Sequence, residues 1–293
     1  MLKTSFDFRL ENSKKMIILS YSKLLKRISF MLRRRRTGIA FGGGAVRGFA
    51  HIGVIKVLQE SGIHFDYVVG NSAGSIIGAL YAKGMSWQEM VEIAGSIKPV
   101  DLLGINFKRR GLFNSDKLEL FLGTIFGELT FEDLPTPFRC VAVNLFDGQL
   151  VELSSGPIAK AVRASCSVPG FFSPTPYDDQ LLVDGGILNS VPADILKKMG
   201  ADYRVAINLN ADRGKFISPK SGMDVLWSAM KIAWNANAFK SLQNVDMVIA
   251  PELSSFNHYE IKKLTYLLEA GEQAARAVVD RIARDSRKWK WLF

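Results

Sequence analysis

Three short segments of the 293-residue chain carry residue types that could do chemistry. The first is Gly70-Asn71-Ser72-Ala73-Gly74, a G-x-S-x-G pentapeptide between a β-branched strand pattern and a helical one. A strand that turns sharply into a helix leaves little room beside the turning residue. Small neighbours let the backbone take a strained conformation and hold the Ser72 hydroxyl out as a nucleophile. The hydroxyl also stands at a helix N-terminus, where developing negative charge is favoured. The plainer reading is a tight turn in which Ser72 caps the helix. The second segment, Gly42-Gly43-Gly44-Ala45-Val46-Arg47-Gly48, is again a strand-to-helix turn. Consecutive glycines let backbone N–H groups converge on an anion, as an acyl-transfer enzyme needs for its tetrahedral oxyanion. A dinucleotide fingerprint fits less well, because Arg47 stands where the third glycine belongs. A P-loop fails for want of Gly-Lys-Ser/Thr. The third segment, Asp184-Gly185-Gly186, ends the strand pattern Leu181–Val183. An Asp there can lie in an open cleft beside the serine. Turn chemistry alone would make it an ordinary Asp-Gly turn.

Other residues compete for roles. Ser72, Asp184 and His258 follow the chain order of a hydrolase triad, and His258 sits in a polar loop before a helix. His51, inside the first helix, and His64, before a strand, read as structural. Cys166 lies beside the expected cleft without an obvious base and reads as a packing residue. The pair Phe171-Phe172 reads as core first and as an acyl-pocket lining second.

Positioning these segments requires strands that end at one edge of a sheet. Thr37–Phe41 and Phe65–Val69 read as strands. Each is followed by a glycine turn and a helix, the first over Val46–Ser61 and the second ending at Lys83. Ser86–Ile97 and Leu112–Gly127 read as helices. Phe138–Asn144 and Gln149–Leu153 read as strands joined at the turn Asp147-Gly148. The pattern continues with helix Ile158–Ser165, strand Leu181–Val183, helix Ala193–Met199, strand Tyr203–Leu209, helix Met223–Leu242, strand Val245–Ala250 and one long helix, Tyr259–Ala283. Strands alternating with helices argue for a single α/β domain with a mainly parallel central sheet over residues 37–285.

Charge divides the chain differently. Residues 1–36 hold eleven basic and two acidic residues, a net +9, which leaves +1 of the overall +10 for the remainder. A nearly neutral body offers no broad phosphate-binding surface, so a nucleic-acid partner is not expected. Ile17, Tyr21, Leu24, Ile28 and Met31 recur at helical spacing opposite Ser22, Lys26, Ser29 and Arg33. That pattern describes a basic amphipathic helix suited to an anionic membrane surface. The C-terminal tail, residues 286–293, interleaves Trp289 and Trp291 with Lys288 and Lys290, which suits a membrane–water interface or an end packed on the domain. No stretch approaches 18 uninterrupted apolar residues, so no membrane-spanning helix is expected. With two cysteines and three scattered histidines, neither a disulfide framework nor a metal site is expected. The expected location is cytoplasmic, peripheral on the inner face of the membrane.

The glycine turn with Arg47, Gly70-Asn71-Ser72-Ala73-Gly74 and Asp184-Gly185-Gly186, in that order, resemble the patatin-like phospholipase family, in its compact bacterial branch. Arg163-Ala164-Ser165-Cys166-Ser167-Val168-Pro169-Gly170 resembles that family's S-x-S-x-P-type element, and Asn189 to Pro192 fit the stretch after the Asp. The match runs well from Thr37 to Asn210 and more loosely beyond; residues 1–36 lie outside it. The resemblance implies a three-layer α/β/α fold and a Ser–Asp dyad, with Ser72 as nucleophile and Asp184 as its base. It also implies an oxyanion hole of Gly43, Gly44 and Ala45 N–H groups, with Arg47 fixing that loop. Gly42, Gly70, Gly74, Gly185 and Gly186 would support the motifs. The implied activity is a cofactor-free carboxylic-ester hydrolase acting on phospholipids or lysophospholipids. The rivals are an acyltransferase or thioesterase with the same dyad, and a non-catalytic membrane-associated module.

Overall fold

The structure, a computed structural model, describes residues 32–96, 104–105, 113–114, 116–211, 219–254, 264–287 and 289–291. The chain begins with β1 (Leu32–Arg34) and β2 (Thr37–Phe41), then a 3-10 turn (Ala45–Phe49) leading into α1 (Ala50–Glu60). Next come β3 (Tyr67–Gly70), α2 (Ala73–Ala82), α3 (Trp87–Ser96), β4 (Gly104–Ile105), β5 (Phe113–Asn114) and α4 (Asp116–Phe126). The middle of the chain holds β6 (Phe138–Asn144), β7 (Leu150–Leu153), α5 (Ile158–Ser165), β8 (Thr175–Tyr177), β9 (Gln180–Asp184), α6 (Gly186–Asn189) and α7 (Ala193–Met199). It ends with β10 (Tyr203–Ile207), α8 (Gly222–Leu242), β11 (Met247–Ile249), α9 (Leu264–Arg276), α10 (Val279–Ser286) and β12 (Trp289–Trp291).

These elements fall into two units, Arg36–Ala283 and Met1–Arg35 with Arg284–Phe293. In the smaller unit β1 pairs antiparallel with β12, Leu32 opposite Trp291 and Arg34 opposite Trp289. The last residues of the expected arm and the expected C-terminal tail are therefore partners in one ladder. The expected amphipathic helix up to Met31 lies outside the described residues, as does His258, whereas Arg33, expected on its polar face, stands in β1.

In the larger unit the central sheet runs β11-β10-β2-β3-β6-β9-β8, with β7 also on β6. From β11 to β6 the strands are parallel. At β6 the sheet changes character, because β7, β9 and β8 join antiparallel. Strand residues alternate between two cores, as a period of two requires. Ile39, Phe41, Val68, Cys140, Ala142, Val205 and Ile207 pack on one side with α1, α2 and α9. Ala40, Val69, Val141 and Ala206 pack on the other with Ala193, Ile195 and Leu196 of α7 and Ala238 of α8. Covering both faces with helices is the usual solution for a parallel sheet, and it yields three α/β/α layers. The expected single helix Tyr259–Ala283 divides into α9 and α10 at Ala277–Val278, and its first turn lies outside the described residues.

The register around β6 sets up the site. β3 pairs with the first part of that strand, Gly70 opposite Cys140. β9 pairs with the last part, Asp184 opposite Ala142. β7 overlaps both stretches along Cys140–Val143, so it occupies the opposite edge. β3 and β9 therefore share one edge of β6 and point at each other end to end. Gly70 and Asp184 face residues two apart on β6, about 7 Å along a strand.

Candidate active site

Ser72 stands just past Gly70, in the gap between those two strand ends. Its backbone lies at φ 52° and ψ −128°, far from the regions a serine ordinarily takes. The surroundings impose that conformation. A Cβ on Gly70 would come 2.4 Å from the Gly74 carbonyl oxygen, and one on Gly74 would come 2.2 Å from that of Phe41. β2, β3 and the start of α2 thus meet in contacts that only glycine permits. The Ser72 N–H donates to Ser165 Oγ at 3.0 Å, and Ser75 Oγ donates to the Ser72 carbonyl at 2.6 Å. The Ser72 side chain makes no capping hydrogen bond to α2, so the plainer reading of the pentapeptide falls away.

Asp184 ends β9 with 1% of its surface exposed. Its N–H donates to the Ser167 carbonyl at 2.9 Å, and its Oδ1 accepts from the Gly186 N–H at 2.7 Å. Burial lifts its pKa from 3.8 to about 6, while hydrogen bonds from Ser72, Gly186 and Asn71 pull it down. The desolvation of a charge outweighs the bonds that favour it. Asp184 Oδ2 is buried and has no hydrogen bond of full geometry. Gly185 lets the chain cross β6, since a Cβ there would stand 2.6 Å from the Val141 carbonyl oxygen. The segment Ser165-Cys166-Ser167 therefore ties down both residues, through a hydroxyl to Ser72 and a carbonyl to Asp184.

The glycine turn lies against the same serine, with a Gly43 Cβ position 3.3 Å from Ser72 Cβ. The Gly43 N–H donates to the Ser190 carbonyl at 2.9 Å, so it is already engaged, unlike the donor the resemblance implies. Gly44 and Ala45 N–H groups have no protein acceptor among the described residues, and Ala45 takes φ 50°. Several groups fix the turn. Asn210 Nδ2 donates to the Gly43 carbonyl at 3.0 Å. Arg47 donates to the carbonyls of Leu209 and Leu253 at 3.2 and 3.1 Å. His51 Nε2 lies 2.8 Å from the Gly42 carbonyl, which can only accept, so the ring is the Nε2–H tautomer. Burial drives its pKa down to about 4, and it stays a neutral positioning group. Among the other histidines, His64 is exposed before β3, and His258 lies outside the described residues.

Cys166 is buried 3.8 Å from Ser75 Oγ, and burial pushes its thiol pKa up, which fits the packing reading. Phe171 packs edge-on against Trp227 at 5.0 Å, and Trp227 against Trp234 at 5.2 Å. Trp234 and Asn210 carried no signal of their own in the sequence. Asn71, Ser165 and Ser190 lay inside recognised motifs, yet only the fold reveals what they touch.

Comparison with known proteins points the same way. A family model described as patatin-like phospholipase matches residues 39–197. An uncharacterised NTE family protein of Mycobacterium bovis is 35% identical over 178 residues, covering 60% of this chain and 49% of its own. Patatin-like phospholipase domain-containing protein 6 of Mus musculus is 32% identical over 216 residues, covering 70% of this chain and 16% of its own. The chain thus spans about half the length of the bacterial relative and much less of the mouse one. Among solved structures, VipD from Legionella pneumophila superposes with a TM-score of 0.56 at 15% identity, over 85% of this chain and 67% of its own. That likeness is one of fold.

Proposed function

The chain belongs to the patatin-like phospholipase family, and on that premise we propose that it is a serine lipid-acyl hydrolase working through Ser72 and Asp184. Ser72 Oγ attacks the carbonyl carbon of a fatty-acyl ester while its proton passes to Asp184. The carbonyl π pair moves onto oxygen, and the oxyanion faces the Gly44 and Ala45 N–H groups. As the oxyanion collapses, the C–O bond to the alcohol breaks and Asp184 returns the proton to the departing oxygen. Water then attacks the acyl-serine and Asp184 takes a proton from it; collapse breaks the bond from the acyl carbon to Oγ, Asp184 returns the proton to Ser72, and the fatty acid is released. No metal or organic cofactor enters these steps. Phospholipids or lysophospholipids are the proposed substrates.

The observation that carries this reading is the head-to-head meeting of β3 and β9 on β6. It brings a serine at φ 52° within hydrogen-bonding reach of a buried carboxylate. A fluorophosphonate probe tests it, because the probe modifies activated serines. The wild type is expected to label and to deplete particular lipids in a lipidomic screen. Ser72→Ala, folded by circular dichroism, is expected to do neither. A folded wild type that resists the probe overturns the reading in favour of a non-catalytic module.

A further inference from the structure

Trp234 Nε1, beside Asp184, is buried and has no hydrogen-bond partner among the described residues. Buried polar groups in native proteins are nearly always paired, so an orphan donor beside the reacting groups marks where an acceptor atom of a ligand belongs. The indole meets Asp184 and Asn71 at Gly186. A Cβ placed there would stand 2.9 Å from Trp234 Nε1, 2.9 Å from Asp184 Oδ1 and 3.1 Å from Asn71 Nδ2. Only glycine leaves that point open.

Trp234 is held there firmly. Ser190 Oγ donates to the Trp234 carbonyl at 2.7 Å, and the Ser190 N–H donates to Asn237 Oδ1 at 2.8 Å. Asn237 Nδ2 donates to the Gly186 carbonyl at 2.7 Å. The indole nitrogen is a donor that neither accepts nor ionises. It can stabilise negative charge without moving a proton, which is a task distinct from that of Asp184.

We propose that the Trp234 N–H donates to the oxygen that departs and arrives beside Asp184: first the alkoxy oxygen of the ester, then the oxygen of the hydrolytic water. This rests on the Ser72–Asp184 reading. Gly44 and Ala45 serve the carbonyl oxygen, whereas Trp234 serves the other oxygen of the ester. When the C–O bond breaks, its electron pair stays on the alkoxy oxygen, the proton comes from Asp184, and the indole keeps its own hydrogen. In deacylation the water oxygen accepts from the indole N–H while one of its protons goes to Asp184.

Leaving-group chemistry tests this. Trp234→Phe keeps an aromatic ring and removes the donor. Activity is measured on an alkyl ester and a p-nitrophenyl ester of the same fatty acid, using kcat/KM to isolate acylation. A p-nitrophenoxide departs with little help, whereas an alkoxide needs stabilisation. Loss of a donor of this kind is expected to lower the alkyl-ester value by about 10- to 100-fold, and by at least ten times more than the p-nitrophenyl value. Equal losses on the two esters, or none on either, overturn the role of Trp234. Labelling of the variant by the fluorophosphonate probe shows that Ser72 is intact. A wild type inert to both esters and unlabelled overturns the Ser72–Asp184 reading itself. Where that variant fails to fold, 3-benzothienylalanine at position 234, which keeps the shape of the indole and replaces its N–H by sulfur, is measured on the same two esters. A selective loss on the alkyl ester supports the proposal, and equal losses or none overturn it.

Discussion

At the scale of single residues, Asp184, as the proposed base, is under opposed demands. A base must give up its proton near the working pH, yet burial opposes the ionised form. Its pKa of about 6 is the compromise, and kcat/KM for a soluble ester should rise with pH to half its plateau near that value. The same shift has a consequence for stability. In the unfolded chain the carboxyl titrates near 3.8, so between there and about 6 the folded protein holds a proton that the unfolded one has lost. Stability from this group therefore falls as pH rises through that window. Above it the ionised carboxylate costs about 3 kcal/mol. Asp184→Asn should be inactive and yet more stable than wild type at pH 8, by up to about 3 kcal/mol, with the difference shrinking toward pH 4. His51, with its pKa near 4, pulls the other way over the same range. It is present in both proteins and cancels in the comparison. Urea unfolding at the two pH values measures it. An Asn variant less stable at pH 8 would show that the carboxylate's hydrogen bonds outweigh its burial.

At the scale of elements, the scaffold behind the glycine turn depends on how closely α1 and α9 cross. A Cβ on Gly53 would stand 2.0 Å from the Leu268 carbonyl oxygen, and one on Gly271 would stand 2.0 Å from that of Ala50. Alanine is the better helix former by about 1 kcal/mol, yet Gly53→Ala or Gly271→Ala should destabilise by about 1–3 kcal/mol through overpacking. Gly123→Ala in α4, where nothing lies within 4 Å of the added carbon, should stabilise instead. Denaturant midpoints for the three variants separate packing from propensity. The same distinction explains what could be read in advance. The pentapeptide, the glycine turn and Asp184-Gly185-Gly186 announce themselves because backbone geometry restricts which residues fit, and that restriction is local. The strands of the parallel half and the helix over Ile158–Ser165 were legible for a similar reason. The end-to-end meeting of β3 and β9 was not, since it arises from strand pairing between residues far apart in sequence. The break at Ala277–Val278 has neither Gly nor Pro to mark it. Trp234 on α8 looks like any core tryptophan on a helix, and only the atoms around Gly186 distinguish it. The bond from the Gly43 N–H to the Ser190 carbonyl is equally hidden from the sequence, because the two residues lie 147 positions apart.

At the scale of the whole molecule, the uneven distribution of charge bears on where the chain would meet its proposed lipid substrate. Among the described residues no helix is long and apolar enough to cross a membrane, while residues 1–36 carry +9 of the overall +10. The proposed partner of that arm is an anionic membrane surface, where each basic residue contributes about 1 kcal/mol. A test by deletion must respect the ladder and the domain edge. Arg36 donates its N–H to Asp202 Oδ2 at 3.0 Å and its guanidinium to Tyr67 at 2.9 Å. Its carbonyl accepts from Asp202 and Tyr203. Removing residues 1–36 would therefore damage the start of β2 and β10 along with the charge. Removing residues 1–31 takes away seven basic and two acidic residues and leaves β1, Arg36 and the dyad untouched. That shortened chain should bind vesicles rich in anionic lipid at least about tenfold more weakly at low salt. The gap should close as ionic strength rises and the Debye length shrinks. Turnover of a soluble short-chain ester should hold within about twofold, since the arm lies outside the residues that build the site. Vesicle binding unchanged by the deletion would separate the charge from the membrane and leave the body to find its lipid alone.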